Sequence, residues 1–138
     1  MSDYKHWVVG FLFRNRSEVA LVTKNRPEWQ KGRLNGVGGK IEGEETSVEA
    51  MRREFLEEAG VDIAVWREFA LLKEKPGDVK FLVAHGDYIL TSVTDEPVDW
   101  YKIDDLTTLP IMPDLKWLIP LALDDNNRYV SIDYDQPM

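Results

Sequence analysis

Glu54, Glu57 and Glu58 lie three and four residues apart in "REFLEEAG", residues 53–60. That spacing turns their carboxylates to one side of a helix, within an arc of roughly 100° at 100° per residue. A solvated helix face is the ordinary reading of such charges. Like charges at i and i+4 nevertheless cost a few tenths of a kcal/mol each, about 0.2–0.5 per pair, and no lysine stands beside these three. A divalent cation would remove that cost. Magnesium takes hard oxygen ligands, keeps several waters, and is typically held by a few carboxylates together with substrate phosphates. The chemistry open to these residues is therefore metal-assisted work on a phosphate.

Local signals supply the helix that must carry them. Thr46 with Glu49 forms a capping-box pattern and Gly60 suits a left-handed stop, so the sequence predicts a helix over about residues 47–59. Val48, Met51, Phe55 and Ala59 fall on one stripe that can face a core. Just upstream stand Gly36, Gly38, Gly39 and Gly43. Glycines there allow positive φ and let the backbone come close to a ligand or to the carboxylate helix, with a carbonyl free for a metal shell.

Taken together, Gly39, Glu45 and "REFLEEAGV" from Arg53 to Val61 resemble the complete Nudix box, Gly-x5-Glu-x7-Arg-Glu-U-x-Glu-Glu-x-Gly-U, with Phe55 and Val61 at the bulky apolar positions U. Nine specified positions match without a gap over the 23 residues 39–61. The resemblance implies an α/β/α sandwich with a mixed sheet between helices, one Nudix domain over residues 1–138, and hydrolysis of a nucleoside diphosphate linked to another group. It further implies that Glu54, Glu57 and Glu58 hold Mg2+, with Mn2+ as a substitute, and that the Gly38 carbonyl is a further ligand. Arg53 would orient the glutamates and Glu45 would support the loop. An acid downstream completes such sites; "TDEPVDW" offers Asp95 and Glu96, of which Glu96 is preferred.

"GRLNGVGGK" and "WYKIDDLTTLPIMPDLKWLIPL" are similar to the branch containing the 8-oxo-dGTP hydrolases, which release a monophosphate and pyrophosphate. That similarity implies that Asn35 and Asp114 read the base. Met112 and Leu115 depart from the tryptophan and second acid that some members carry, and leave Met112 or Trp29 as surfaces on which a base could stack. For Trp29, Trp100 and Trp117, packing is the expected role ahead of stacking. Lys24, Arg26 and Lys40 are placed to meet terminal phosphates. Competing substrates are ADP-ribose, dinucleoside polyphosphates and capped RNA, and a non-catalytic nucleotide-binding module is the alternative class. Such a module would ordinarily have lost box glutamates, and none is lost here.

The remaining elements are read from period-two patterning and turn residues. "KHWVVGFLFR" and "EVALVTK" predict a hairpin; "AVWREFALLK", "VKFLVAHG", "DYILTSV" and "VDWYKI" predict further strands. "DLKWLIPLAL" predicts a second helix ended or bent near Pro120, and "RYVSIDY" a last strand, with Asp133 and Asp135 on a solvated edge. His6 and His85 have no partner pattern that suggests catalysis.

Composition sets the bounds. A chain of 138 residues, 43% hydrophobic and without cysteine, suits one domain in a reducing compartment, here the cytoplasm. The early apolar run "WVVGFLF" is too short for a span, so a soluble, unprocessed protein is expected, with no membrane partner. A net charge of −8 disfavours long nucleic acid, although Lys24, Arg26, Lys31, Arg33 and Lys40 make one loop basic enough for a small anion such as a nucleotide. The sequence leaves a homodimer open.

Overall fold

Burial alternates along the first strand, and this decides the architecture. In β1 (Lys5–Arg14), Val8 and Leu12 enter one buried cluster, while Phe11 and Phe13 enter another on the opposite side. β2 (Glu18–Thr23) divides likewise, with Ala20 and Val22 on the first side and Val19 and Leu21 on the second. Both faces of the sheet must therefore be covered. Helix α1 (Ser47–Ala59) covers one with Met51, Phe55 and Ala59, and α2 (Leu115–Ala122) covers the other with Leu115, Leu118, Ile119 and Ala122. The result is the expected α/β/α sandwich, seen in a computed structural model that describes residues 4–126 and 128–134.

The sheet also contains β3 (Leu34–Asn35), β4 (Val37–Lys40), β5 (Arg67–Glu74), β6 (Gly77–His85), β7 (Val98–Lys102) and β8 (Val130–Asp133). Its order is β3-β2-β1-β6-β5-β8, with β4 on β1 and β7 on β2. The sheet is mixed: β1 with β6 and β5 with β8 run parallel, and the remaining pairs are antiparallel. β1 and β2 pair only over Leu12–Arg14 and Glu18–Ala20. Beyond that they part, β1 taking β4 and β2 taking β3. Gly36 crosses the split, where a side chain would collide with the Gly10 carbonyl and the side chains of Val9 and Phe11. The crossing carries β4 under α1.

Helix α1 begins and ends as its caps require. Thr46 Oγ1 accepts the Glu49 amide at 3.1 Å, Glu49 accepts the Thr46 amide at 2.8 Å, and Gly60 takes φ 73°.

One expectation changes. "DYILTSV", residues 87–93, is no strand but a strap over the C-terminal end of α1. Its Thr91 and Val93 amides donate to the carbonyls of Ala59 and Glu58, at 2.9 and 3.1 Å. Helix-end carbonyls have no partner within the helix, and the strap supplies one. Tyr88 and Leu90 pack inward while Ile89 is 90% exposed, which produces a period-two pattern without a ladder. Helix α2 includes Pro120 and ends just beyond it at Ala122; both Pro120 and Lys116, whose carbonyl loses its donor, lie at the solvent side. Asp133 is on the edge strand β8, and Asp135 lies outside the described residues. Among the described residues no helix is long and apolar enough to cross a membrane.

Candidate active site

Gly39, in β4, lies directly over Glu54, and a Cβ there would overlap the Glu54 carboxyl group. The glycine is needed for this approach and not for its backbone angle. Of the four glycines whose freedom allows positive φ, Gly43 uses it, at 52°. Gly38, opposite Val9 in the β1–β4 pair, precedes this contact along β4.

Arg53 organises the carboxylates. Its Nε and Nη2 donate to Glu45 at 2.7 and 2.9 Å, Nη2 also reaches the Lys40 carbonyl at 3.0 Å, and Nη1 donates to Glu54 at 2.7 Å. The same Nη1 is 3.5 Å from Glu57, whose side chain is 56% exposed. A cation therefore does stand beside two of the three acids. The Arg53 hydrogen bonds, followed by the Glu42 amide, hold the Glu45 carboxyl down to about 2. Burial raises the pKa of Glu54 against the opposing pull of Arg53.

Glu58 lacks such relief. Its Oε2 is buried without a hydrogen-bond partner. Burial, then the negative charge of Glu96, push its carboxyl up to about 7, with smaller contributions from Glu54 and Glu57 and an opposing one from Lys24. Glu96 is only 4% exposed. Its Oε2 accepts the backbone amides of Asn25 and Arg26 at 2.6 and 3.1 Å, and its Oε1 accepts Lys24 Nζ at 3.2 Å. Burial alone would raise the Glu96 pKa, but these donors outweigh it and the carboxyl lies below its usual range. Asp95 points elsewhere, paired with Arg26 and Asn25 side chains and 55% exposed. Of the two acids, Glu96 is therefore the buried one, bonded to the chain at 24–26.

Among the described residues no three acids or histidines converge into a preformed cation cage. The donor chemistry still fits a magnesium ion, which needs only a few carboxylate oxygens beside its waters. Glu58 supplies a buried oxygen with no other partner, on the same helix as Glu54 and Glu57, and an uncompensated buried charge is costly without a cation.

The two segments expected to read a base are joined through Leu34. Leu34 donates to the Pro110 carbonyl and accepts from the Met112 amide, both at 2.9 Å, which zips the segment before α2 onto β3, the strand that carries Asn35. Asn35 Oδ1 takes the Gly36 amide at 2.8 Å. Asp114 Oδ1 is buried without a partner, and burial raises this carboxyl. Met112 is 9% exposed and belongs to the apolar cluster under α2, so it offers no open face for stacking. Trp29 reverses the packing expectation: on a 3-10 turn at Glu28–Gln30 it is 68% exposed. Trp100 and Trp117 pack as expected, Trp100 beneath the Arg14 guanidinium at 4.2 Å. Lys24 and Arg26 are engaged by Glu96 and Asp95, which leaves exposed Lys40 as the unpaired cation of the three among the described residues. His6 bonds Asp78 at 2.7 Å across the β1–β6 pair, away from the carboxylate helix. The backbone donors of Asn25 and Arg26 were invisible in the sequence, since every residue but proline has an amide.

The family model described as NUDIX domain matches residues 4–120. An oxidized purine nucleoside triphosphate hydrolase from Mus musculus is 27% identical over 99 residues, 67% of this chain, and the chain spans 64% of that relative's length. A mutator MutT protein from Bacillus halodurans has the same fold at 19% identity, with a TM-score of 0.74 over 94% of this chain and 90% of that one. So does the NUDIX domain of Shewanella oneidensis NrtR, solved with ADP ribose, at 18% identity and TM-score 0.74 over 88% of each chain.

Proposed function

The chain belongs to the NUDIX domain family, and from that premise we propose that it is a magnesium-dependent pyrophosphohydrolase. Its substrate is a nucleoside triphosphate, with oxidised purine nucleotides such as 8-oxo-dGTP foremost, and its products are the monophosphate and pyrophosphate. One observation carries the reading: the partnerless buried oxygen of Glu58, on the helix that also bears Glu54 and Glu57. The mouse relative's activity on oxidised purine triphosphates supports the choice of substrate.

Glu54, Glu57, Glu58 and the Gly38 carbonyl would hold Mg2+, or Mn2+ in its place. The ion supplies charge neutralisation on the phosphate oxygens and a more acidic water. Arg53 keeps Glu54 and the glycine loop in fixed relation through its bonds to Glu45 and the Lys40 carbonyl. Asn35 and the free acceptor of Asp114 take the edge of the base, exposed Trp29 offers it a face, and Lys40 meets the terminal phosphates. A cysteine-free single domain suits the cytoplasm.

The test is a panel of canonical and oxidised nucleoside triphosphates, ADP-ribose and dinucleoside polyphosphates, with magnesium or chelator and products resolved by chromatography. Magnesium-dependent release of a nucleoside monophosphate from a triphosphate is expected. Turnover of ADP-ribose alone would move the substrate, and binding without turnover of any compound would make the chain a nucleotide-binding module.

A further inference from the structure

The loop between β2 and β3, residues 24–33, is bonded mainly to itself. Lys24 and Arg33, Gly32 and Lys24, Gln30 and Pro27, and Arg33 and Gln30 are joined by backbone bonds of 2.8–2.9 Å. Among the described residues, every hydrogen bond and ion pair from this loop to the rest of the protein ends on Asp95 or Glu96. Asp95 and its partner Arg26 are more than half exposed, so that pair is worth little in water. Glu96 is buried, and its three donors are charge-assisted hydrogen bonds, the stronger class.

We propose that Glu96 is a positioning residue that latches the Trp29-bearing loop to the carboxylate helix, so that nucleotide affinity depends on the latch. The last clause rests on the nucleotide reading above; the latch itself does not. Oε2 accepts two amides and Oε1 accepts Lys24, so most of the acceptor capacity of this carboxylate is already committed to the loop. The other end is fixed as well. The strap that delivers Glu96 is tied to α1 by the Val93 bond to the carbonyl of Glu58 itself and by the Thr91 bond to Ala59. Loop, Glu96, strap and Glu58 thus form one continuous set of contacts, and Trp29 stands free at its outer end.

Amide exchange followed by NMR in the full chain tests the latch without a substrate. In Glu96→Ala the Asn25 and Arg26 amides should exchange about tenfold faster or more, while amides within α1 keep their protection. Lys24→Met, which removes one donor and keeps the carboxylate, should move the same two amides in the same direction by less, and serves if Glu96→Ala does not fold. Unchanged exchange at Asn25 and Arg26 in both variants would overturn the latch. On the best triphosphate, Glu96→Ala should raise KM about tenfold with a much smaller loss in kcat, and adding Trp29→Ala should raise it no further. A collapse of kcat at constant KM, or fully additive effects of the two substitutions, would instead place Glu96 in the chemistry and sever it from Trp29. If no triphosphate is turned over, the exchange result still decides the latch.

Discussion

Gly39 and Glu54 are in such close approach that the carboxylate occupies the space a Gly39 side chain would need. Gly39→Ala should therefore displace the Glu54 carboxylate, the movable member of the contact, and leave the strand in place. Misplacing one group of a reacting site by about 1 Å can cost 10²-fold, so kcat/KM should fall by roughly 10- to 100-fold with Tm changed little. Steady-state kinetics beside a melting curve would show this.

Glu58→Gln should separate activity from stability. Turnover should fall by about 10²-fold or more with the loss of a carboxylate that the metal and the transition state need. The metal-free protein should become more stable, by about 1 kcal/mol or a Tm rise of ~3 °C, because a buried charge without a partner is removed. Thermal melts in chelator, set against turnover in magnesium, read both. A lower Tm in chelator would mean that the Glu58 charge is compensated after all.

The bonds between Glu45 and Arg53 predict an acid-sensitive loop. The folded pKa of Glu45 is depressed to about 2. Its stabilisation is fully present above the ordinary carboxylate value of about 4.5 and is lost as pH falls toward 2. Solvent screening at this partly exposed site holds the effect to about 1 kcal/mol. Glu45→Gln should be less stable than the parent at pH 6 and should approach it near pH 2, as denaturant titrations across that range would report.

Asn35 and Asp114 should govern which base is accepted. Asn35→Ala or Asp114→Asn should change the ratio of kcat/KM between oxidised and ordinary purines by about tenfold or more, since each removes or converts a hydrogen-bonding group proposed to read the base edge. A ratio equal to the parent's for both variants would exclude the pair as readers of the base.

Hydrolysis in water enriched in heavy oxygen should place the label in the monophosphate, through attack at the phosphorus nearest the sugar. On the proposed placement Asn35 and Asp114 take the base end, and exposed Lys40 meets the departing pyrophosphate. Label in pyrophosphate, or release of orthophosphate, would put the triphosphate in another register.

The carboxylate helix was legible from the sequence because everything that makes it is local. Its cap pairs Thr46 with Glu49, its stop is Gly60, and its core stripe and acids repeat at three and four residues. β1 and β2 were legible for the same reason, as short-period patterns closed by a turn. The strap at 87–93 mimicked a strand because alternating burial against a helix end leaves the same trace as alternating burial in a sheet. Only the folded chain decided that Glu96 is buried on the loop after β2 while Asp95 is exposed, that Trp29 is exposed, and that Lys24 and Arg26 are already paired. Those outcomes depend on bonds between residues about seventy positions apart, such as the Asn25 amide on Glu96, and a main-chain donor leaves no mark on residue type.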